Sequence, residues 1–180
     1  LFSGIDYYGA DIGGFHRWLF DEGQDHGELY TRWFAYGMMF DIPGRPHALN
    51  LENEHETAPN KIGDIRANLN AARLRYDLMP YYYSLAYQAY TDAVPLFPPL
   101  VYYHQDDPQV SEIFHQKMIG PWLMAAAEET YGQEHVALYL PKGNWYDFHS
   151  GEKFESEGKW LQDYPLYAKG HFQLPLLAKE

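Results

Sequence analysis

The chain has 180 residues, 13 lysines and arginines against 25 aspartates and glutamates, a net charge of −12 and a pI of about 5.1. That length suits one domain, or one and part of another. An acidic surface of this size repels phosphate backbones and excludes nucleic acid as a partner. The sequence holds no cysteine, which removes disulfide frameworks, thiolate metal sites and cysteine nucleophiles together.

Residues 5–12 read as a short strand ending at Gly13-Gly14, and 16–27 as a polar loop. Leu29, Trp33 and Tyr36 share one helical face, so the spacing predicts a helix over 28–36. Met38-Met39-Phe40 reads as a second short buried strand, and 41–60 as a long loop. Ile62, Ile65, Leu69, Ala72, Tyr76, Met79, Tyr83, Ala86 and Tyr90 then recur at three- and four-residue steps, an amphipathic helix of about eight turns. Pro80 removes a hydrogen bond inside it, and a kink is expected between Tyr76 and Pro80. The helix ends by Val94-Pro95. Prolines punctuate the next segment, and a β-rich second unit is expected from residue 95. Residues 135–140 alternate as a half-buried strand, 141–144 form a turn, and 145–148 form the returning strand before a further turn at 149–152. No apolar run approaches the roughly 18 residues of a membrane span, so no membrane partner is expected.

Two apolar runs thus end in clusters of glycine and polar groups, as barrel strands do where they deliver ligand-facing side chains. The first reads Gly9-Ala10-Asp11-Ile12-Gly13-Gly14-Phe15, the second Gly44-Arg45-Pro46-His47. The first resembles the GAD-[IV]-x-GF signature of glycoside hydrolase family 31, the α-glucosidase and α-xylosidase family. Arg45-Pro46-His47 resembles that family's RNH or RxH element. Tyr139-Leu140-Pro141-Lys142-Gly143-Asn144-Trp145-Tyr146-Asp147-Phe148-His149-Ser150-Gly151 resembles the YLP-x-G-x-WYDF-x-x-G signature of its proximal C-terminal β-domain. The resemblance runs in order through almost the whole chain.

The resemblance implies an α/β fold, about the last two β/α units of a (β/α)8 TIM barrel over residues 1–94, followed by a sandwich-like β-domain over 95–180. It implies that the parent is a retaining, exo-acting α-glycosidase, with no cofactor, whose substrate is an oligosaccharide or α-glycoside. The family's W-x-D-M-N-E nucleophile motif and its acid/base Asp lie upstream of the GAD signature, so no catalytic residue is expected in this chain. Asp11, Phe15, Arg45 and His47 would instead form part of the sugar pocket, with His47 bonding the sugar and Phe15 lining its subsite. The residues themselves allow those roles. A carboxylate can accept two bonds from vicinal hydroxyls, an imidazole can donate from one nitrogen, and a Phe ring suits the C–H face of a pyranose.

Leu1-Phe2-Ser3-Gly4 has neither an initiating Met nor a basic leader. The expectations are a cytoplasmic location and a chain that is a piece of a longer protein, covered by the remainder of that polypeptide or by self-association. Two other readings stand beside the hydrolase: a non-catalytic carbohydrate-binding or scaffold module, and a family member acting as an α-xylosidase, transglycosylase or lyase. Glu52, Glu54, His55 and Glu56 resemble oxygen and nitrogen metal ligands, but read better as a solvated acidic loop before a helix. His104, Asp106 and Asp107 read as a turn. Most of the tyrosines, Tyr81-Tyr82-Tyr83 and Tyr102-Tyr103 included, are expected in packing rather than as sugar platforms.

Overall fold

The computed structural model describes residues 5–17, 26–49, 51 and 54–180. Strand β1 (Asp11–Ile12), helix α1 (Gly27–Phe40) and strand β2 (Arg45–Pro46) come first, followed by helices α2 (Ile65–Asp77) and α3 (Met79–Asp92). β1 and β2 are parallel, with Asp11 opposite Arg45 and Ile12 opposite Pro46. This is the strand–helix–strand order of an α/β barrel segment.

Two expectations need correction. The strand expected over 5–12 is regular only at Asp11–Ile12. A ladder needs a partner, and here β2 supplies one at only two positions, with a single further bond from Ile42 N to Tyr8 O (3.0 Å). Ile5, Tyr7 and Tyr8 stand exposed. Met38-Met39-Phe40 is not a strand but the last turn of α1. Its apolar run continues the helical period, with Ala35 and Met39 both buried, and the helix stops only where Asp41 turns extended ahead of Ile42-Pro43.

The long helix breaks where expected. α2 and α3 meet at Leu78, and Pro80 occupies the first turn of α3, where a missing N–H costs nothing. Asp64 caps α2, accepting from the amides of Arg66 and Ala67. The apolar stripe read from the sequence divides between two faces. Ile62 and Ala72 pack around Ile12, Tyr30 and Phe34, whereas Ile65, Leu69, Tyr76, Met79, Tyr83 and Tyr90 are exposed. A second face, with Ala67, Tyr82 and Leu85 at its centre, packs against the C-terminal part of the chain.

That part is antiparallel. It comprises β3 (Gln116–Ile119), β4 (Leu123–Ala126), β5 (His135–Leu140), β6 (Gly143–Asp147), β7 (Lys153–Ser156), β8 (Lys159–Pro165), β9 (Tyr167–Ala168), β10 (His171–Phe172) and β11 (Leu176–Lys179). Five strands form one sheet in the order β3-β4-β11-β6-β7; β5 pairs with β8, and β9 with β10. The expected hairpin between 135–140 and 145–148 therefore does not form. Pro141 has no amide to continue the β5 ladder, and the chain crosses there to the other sheet. The crossing is fixed by the Trp145 indole, fully buried, which donates to Pro141 O at 2.9 Å. Gln116 ties β3 to β5 by accepting from Tyr139 N and donating to Tyr139 O.

One continuous core joins the helices to this sheet, from Ala35, Met39 and Phe40 through Tyr82, Leu85 and Phe97 to Met118, Leu138 and Trp145. The outer tyrosines of α2 and α3 have no such cover. Exposed apolar patches of this kind mark contact surfaces, so the purified chain is expected to self-associate. A Tyr83→Lys/Tyr87→Lys double variant should shift it toward monomer in gel filtration with an unchanged circular dichroism spectrum. A monodisperse wild-type monomer would contradict this.

Candidate functional site

The parallel register puts Asp11 and Arg45 side by side at the carboxyl ends of β1 and β2. Arg45 Nη2 donates to Asp11 Oδ1 in an ion pair, and His47 Nδ1 lies 3.6 Å from the same oxygen. The Phe15 ring stacks on His47, with centroids 5.5 Å apart and planes 13° from parallel. The backbone bond from Leu49 N to Phe15 O (2.9 Å) holds the two exit segments together. Asp11 is the sheltered member, with 19 % of its side chain exposed against 56 % for Arg45 and 47 % for His47. The four residues singled out in the sequence therefore meet in one partly exposed cluster: a carboxylate held by a guanidinium, an imidazole beside it, and a flat aromatic ring stacked on that imidazole.

What supports this cluster is a residue that sequence reasoning passed over. Gly14 N bonds to Asp11 O (2.8 Å) in a tight turn, with Gly13 at φ 84° and Gly14 at φ 88°. Behind this turn lies Arg17, 7 % exposed. Its Nε donates to Gly13 O (3.1 Å), and its Nη1 donates to Glu56 O. The guanidinium lies 5.8 Å from the Tyr30 ring centroid, and Tyr30 Oη donates to Thr57 O at 2.8 Å. Burial lowers the Arg17 pKa and pushes that of Tyr30 up to about 12. A lone Arg in a polar loop carries no sequence pattern that announces this clamp.

The other motifs sort themselves locally. Glu56 folds back on its own loop, accepting from Ala58 N and Thr57 N, and those backbone bonds, that from Ala58 foremost, lower its pKa. Glu52 lies outside the described residues. Among the described residues no three His, Asp or Glu side chains converge to hold a metal. Asp107 closes the turn after His104 and accepts from Tyr139 Oη (2.7 Å). Tyr81 and Tyr82 donate to Ile119 O and Met39 O, so both serve packing.

At the opposite end of β2 sits Asp41. Burial pushes its carboxyl up to about 6, although the Ala10 amide, Lys117 and Arg75 pull it down. Its Oδ2 is buried without a partner. In a barrel, that end serves stability and the carboxyl end serves chemistry.

Parallel strands followed by returning helices, with polar residues gathered at the strand ends, define a segment of an α/β barrel. Residues 1–85 match the family model described as the glycosyl hydrolases family 31 TIM-barrel domain, and residues 93–180 match the glycosyl hydrolase family 31 C-terminal domain. The chain belongs to glycosyl hydrolase family 31, and comprises the C-terminal end of its barrel domain and the domain beyond it. It is 33 % identical over 183 residues to an α-xylosidase of Saccharolobus solfataricus, an alignment covering 98 % of this chain and 24 % of that one. It is 29 % identical to an α-glucosidase of the same organism, covering 99 % of this chain and 26 % of that protein. A Flavobacterium johnsoniae GH31 dextranase complexed with isomaltotriose superposes with a TM-score of 0.81 at 27 % identity, over 98 % of this chain and 21 % of the dextranase. The chain thus spans about a quarter of the length of these proteins.

The site's construction leads to two expected outcomes. A Cβ at Gly13 would lie 2.5 Å from Arg17 Nη2 and 2.7 Å from Tyr30 Cδ2, so Gly13→Ala should cost about 1–3 kcal/mol in urea unfolding. Because the folded-state pKa of Asp41 is raised, its contribution to stability is full below about pH 4 and is lost as pH rises through about 6. Asp41→Asn should therefore flatten the stability profile over that interval in thermal melts across pH.

Proposed function

We propose that this chain is part of a longer retaining, exo-acting α-glycosidase, and that it supplies one wall of the pocket for the non-reducing-end sugar without supplying the catalytic pair. The observation that carries this reading is the convergence of Asp11, Phe15, Arg45 and His47 at the carboxyl ends of the two parallel strands. The isomaltotriose held by the dextranase and the activities named for the two archaeal relatives support an α-linked glucoside or a closely related pyranoside as substrate.

The chemistry divides accordingly. A retaining glycosidase needs two carboxyl groups about 5–5.5 Å apart, one a nucleophile and one an acid that then acts as base. Asp11 is unsuited to either role, because its Oδ1 is engaged by Arg45. Paired in that way, it accepts from sugar hydroxyls and orients the ring. His47 donates to a neighbouring hydroxyl, and Phe15 offers its face to the ring's C–H groups. Arg17 fixes the turn from which Asp11 and Phe15 project. These contacts act by positioning, the part of catalysis that depends on geometry rather than on proton transfer.

The test is enzymatic. The pure 180-residue chain should release no p-nitrophenol from p-nitrophenyl α-glucoside, and release above background would contradict the proposal. In the longer protein, His47→Ala or Asp11→Ala should lower kcat/KM about tenfold to two-hundredfold, the loss of one or two hydrogen bonds to a charged or polar partner. Unchanged kcat/KM in both variants would remove these residues from the pocket. A W-x-D-M-N-E string encoded upstream of Leu1 would identify the nucleophile.

A further inference from the structure

A second concave surface lies between α2 and the C-terminal strands, lined by none of Asp11, Phe15, Arg45 and His47. It is a groove of about 820 Å³ whose walls include Arg66 and Asn70 from α2, Gln162 and Asp163 from β8, and Tyr167 and His171 from the β9–β10 hairpin. A smaller hollow of about 250 Å³ opens beneath it and shares Asn70 and His171. Its floor is apolar, built from Ala67, Ala71, Leu74 and Phe172. Tyr167 also borders a neighbouring hollow of about 450 Å³ at the first turn of α1. These volumes match those of ligand sites, which combine an apolar floor with a few polar groups at the rim.

The polar groups at the rim are unspent. Among the described residues, no intramolecular hydrogen bond engages the Arg66 guanidinium, the Asn70 or Gln162 amide, or the Asp163 carboxylate. Asp147, also in the wall, is by contrast fully used, accepting from His149 N, Ser150 N and Tyr164 Oη. His171 is fixed from behind. Its Nδ1 bonds to Asp64 at 3.0 Å, which fixes the orientation of the ring. The wall carries Arg66 and Lys169 against Asp147, Glu152 and Asp163, of which Asp147 is already engaged. An anion would meet an excess of carboxylates, and among the described residues no three His, Asp or Glu side chains converge on a metal ion. Donors and acceptors interspersed around an apolar floor, with an exposed tyrosine at the lip, suit a neutral polyhydroxylated chain.

We infer that this groove is a second carbohydrate site, binding a neutral α-glucan chain through residues other than those of the barrel pocket. The choice of α-glucan rests on the function proposed above. A second contact of this kind raises the local concentration of a polymeric substrate without any new contact at the reacting sugar.

Affinity electrophoresis of the 180-residue chain through gels containing soluble starch or dextran tests this. Retardation by at least one polymer is expected. It should weaken about fivefold or more in Tyr167→Ala and in Arg66→Ala/Asn70→Ala, and persist in His47→Ala. Arg66 and Asn70 lie on the exposed side of α2, so the second variant keeps the fold if the first does not, as circular dichroism would show. No retardation by either polymer overturns the inference. So does retardation lost in His47→Ala but kept in both groove variants, or retardation by dextran sulfate alone. Failure here with His47-dependent hydrolysis intact in the longer enzyme refutes the groove only. The reverse result refutes the barrel pocket only.

Discussion

Carbonyl oxygens that leave a ladder must still find donors, and in this chain buried arginines provide them. Arg17 donates to the carbonyls of Gly13 and Glu56 and holds two irregular loops around the site. Arg32, 8 % exposed, donates to the carbonyls of Thr130 (2.8 Å) and Gln133 (2.5 Å). Arg75, only partly buried, likewise donates to Met38 O at 2.7 Å, near the end of α1. A guanidinium suits this task because its donors diverge in a rigid fork and one side chain serves several acceptors. A buried carbonyl left without a partner costs about 1–3 kcal/mol. The irregular segments around Asp11 and at the ends of α1 therefore keep their shape through side chains rather than through strand pairing.

The same economy joins the two parts of the chain. α1 meets the C-terminal part near both its ends. In its first turn Glu28 accepts from Gly132 N (2.8 Å), while near its last turn Lys117 of β3 lies over the rings of Tyr36 and Phe40. Between them runs the shared apolar core. Gly120 is needed at this contact, since a Cβ there would lie 2.4 Å from Leu85 Cδ2 and 2.6 Å from Tyr81 Oη. Its φ of 55° would strain any other residue as well. A boundary in sequence is not a boundary in packing here: helix and sheet bury one another.

Features were legible in the sequence to the extent that their causes were local. The break near Pro80 is a steric effect of one residue, and it is found at Leu78. Strand β5 occupies the residues expected, with Val136, Leu138 and Leu140 buried as read and Tyr139 buried as well. The meeting of Asp11, Phe15, Arg45 and His47 was legible because parallel neighbouring strands bring their carboxyl ends together. Features that depended on partners distant in sequence were not. Leu123–Ala126 is buried at every position and shows no period, so β4, inside the sheet, left no pattern to read. The Pro141 crossing was mistaken for a hairpin because turn chemistry does not reveal which strand lies alongside. The Arg17 clamp depends on where residues 56 and 57 pass in space, 39 positions later for its bond to Glu56.

Topology also relates the C-terminal strands to the site. In a barrel each helix runs back along the strand before it, so helix N-termini lie at the rim where strands end. The contacts of the C-terminal part at this rim are specific. Asp64, capping α2, also accepts from Phe172 N and bonds His171 Nδ1, while Thr31 Oγ1 accepts from Asp64 N. Burial works against the Asp64 charge, yet the amides of Ala67 and Phe172 together with His171 outweigh it and hold its pKa below the usual carboxylate value. One carboxylate thereby ends a helix and seats a hairpin. The loop at 128–133, tied down by Arg32 and Glu28, flanks the same rim. The β-rich part is thus more than an appendage that covers apolar surface. Its loops stand at the end of the barrel where the helices begin, and they are fixed there by bonds to the first turns of the helices that return from those strands.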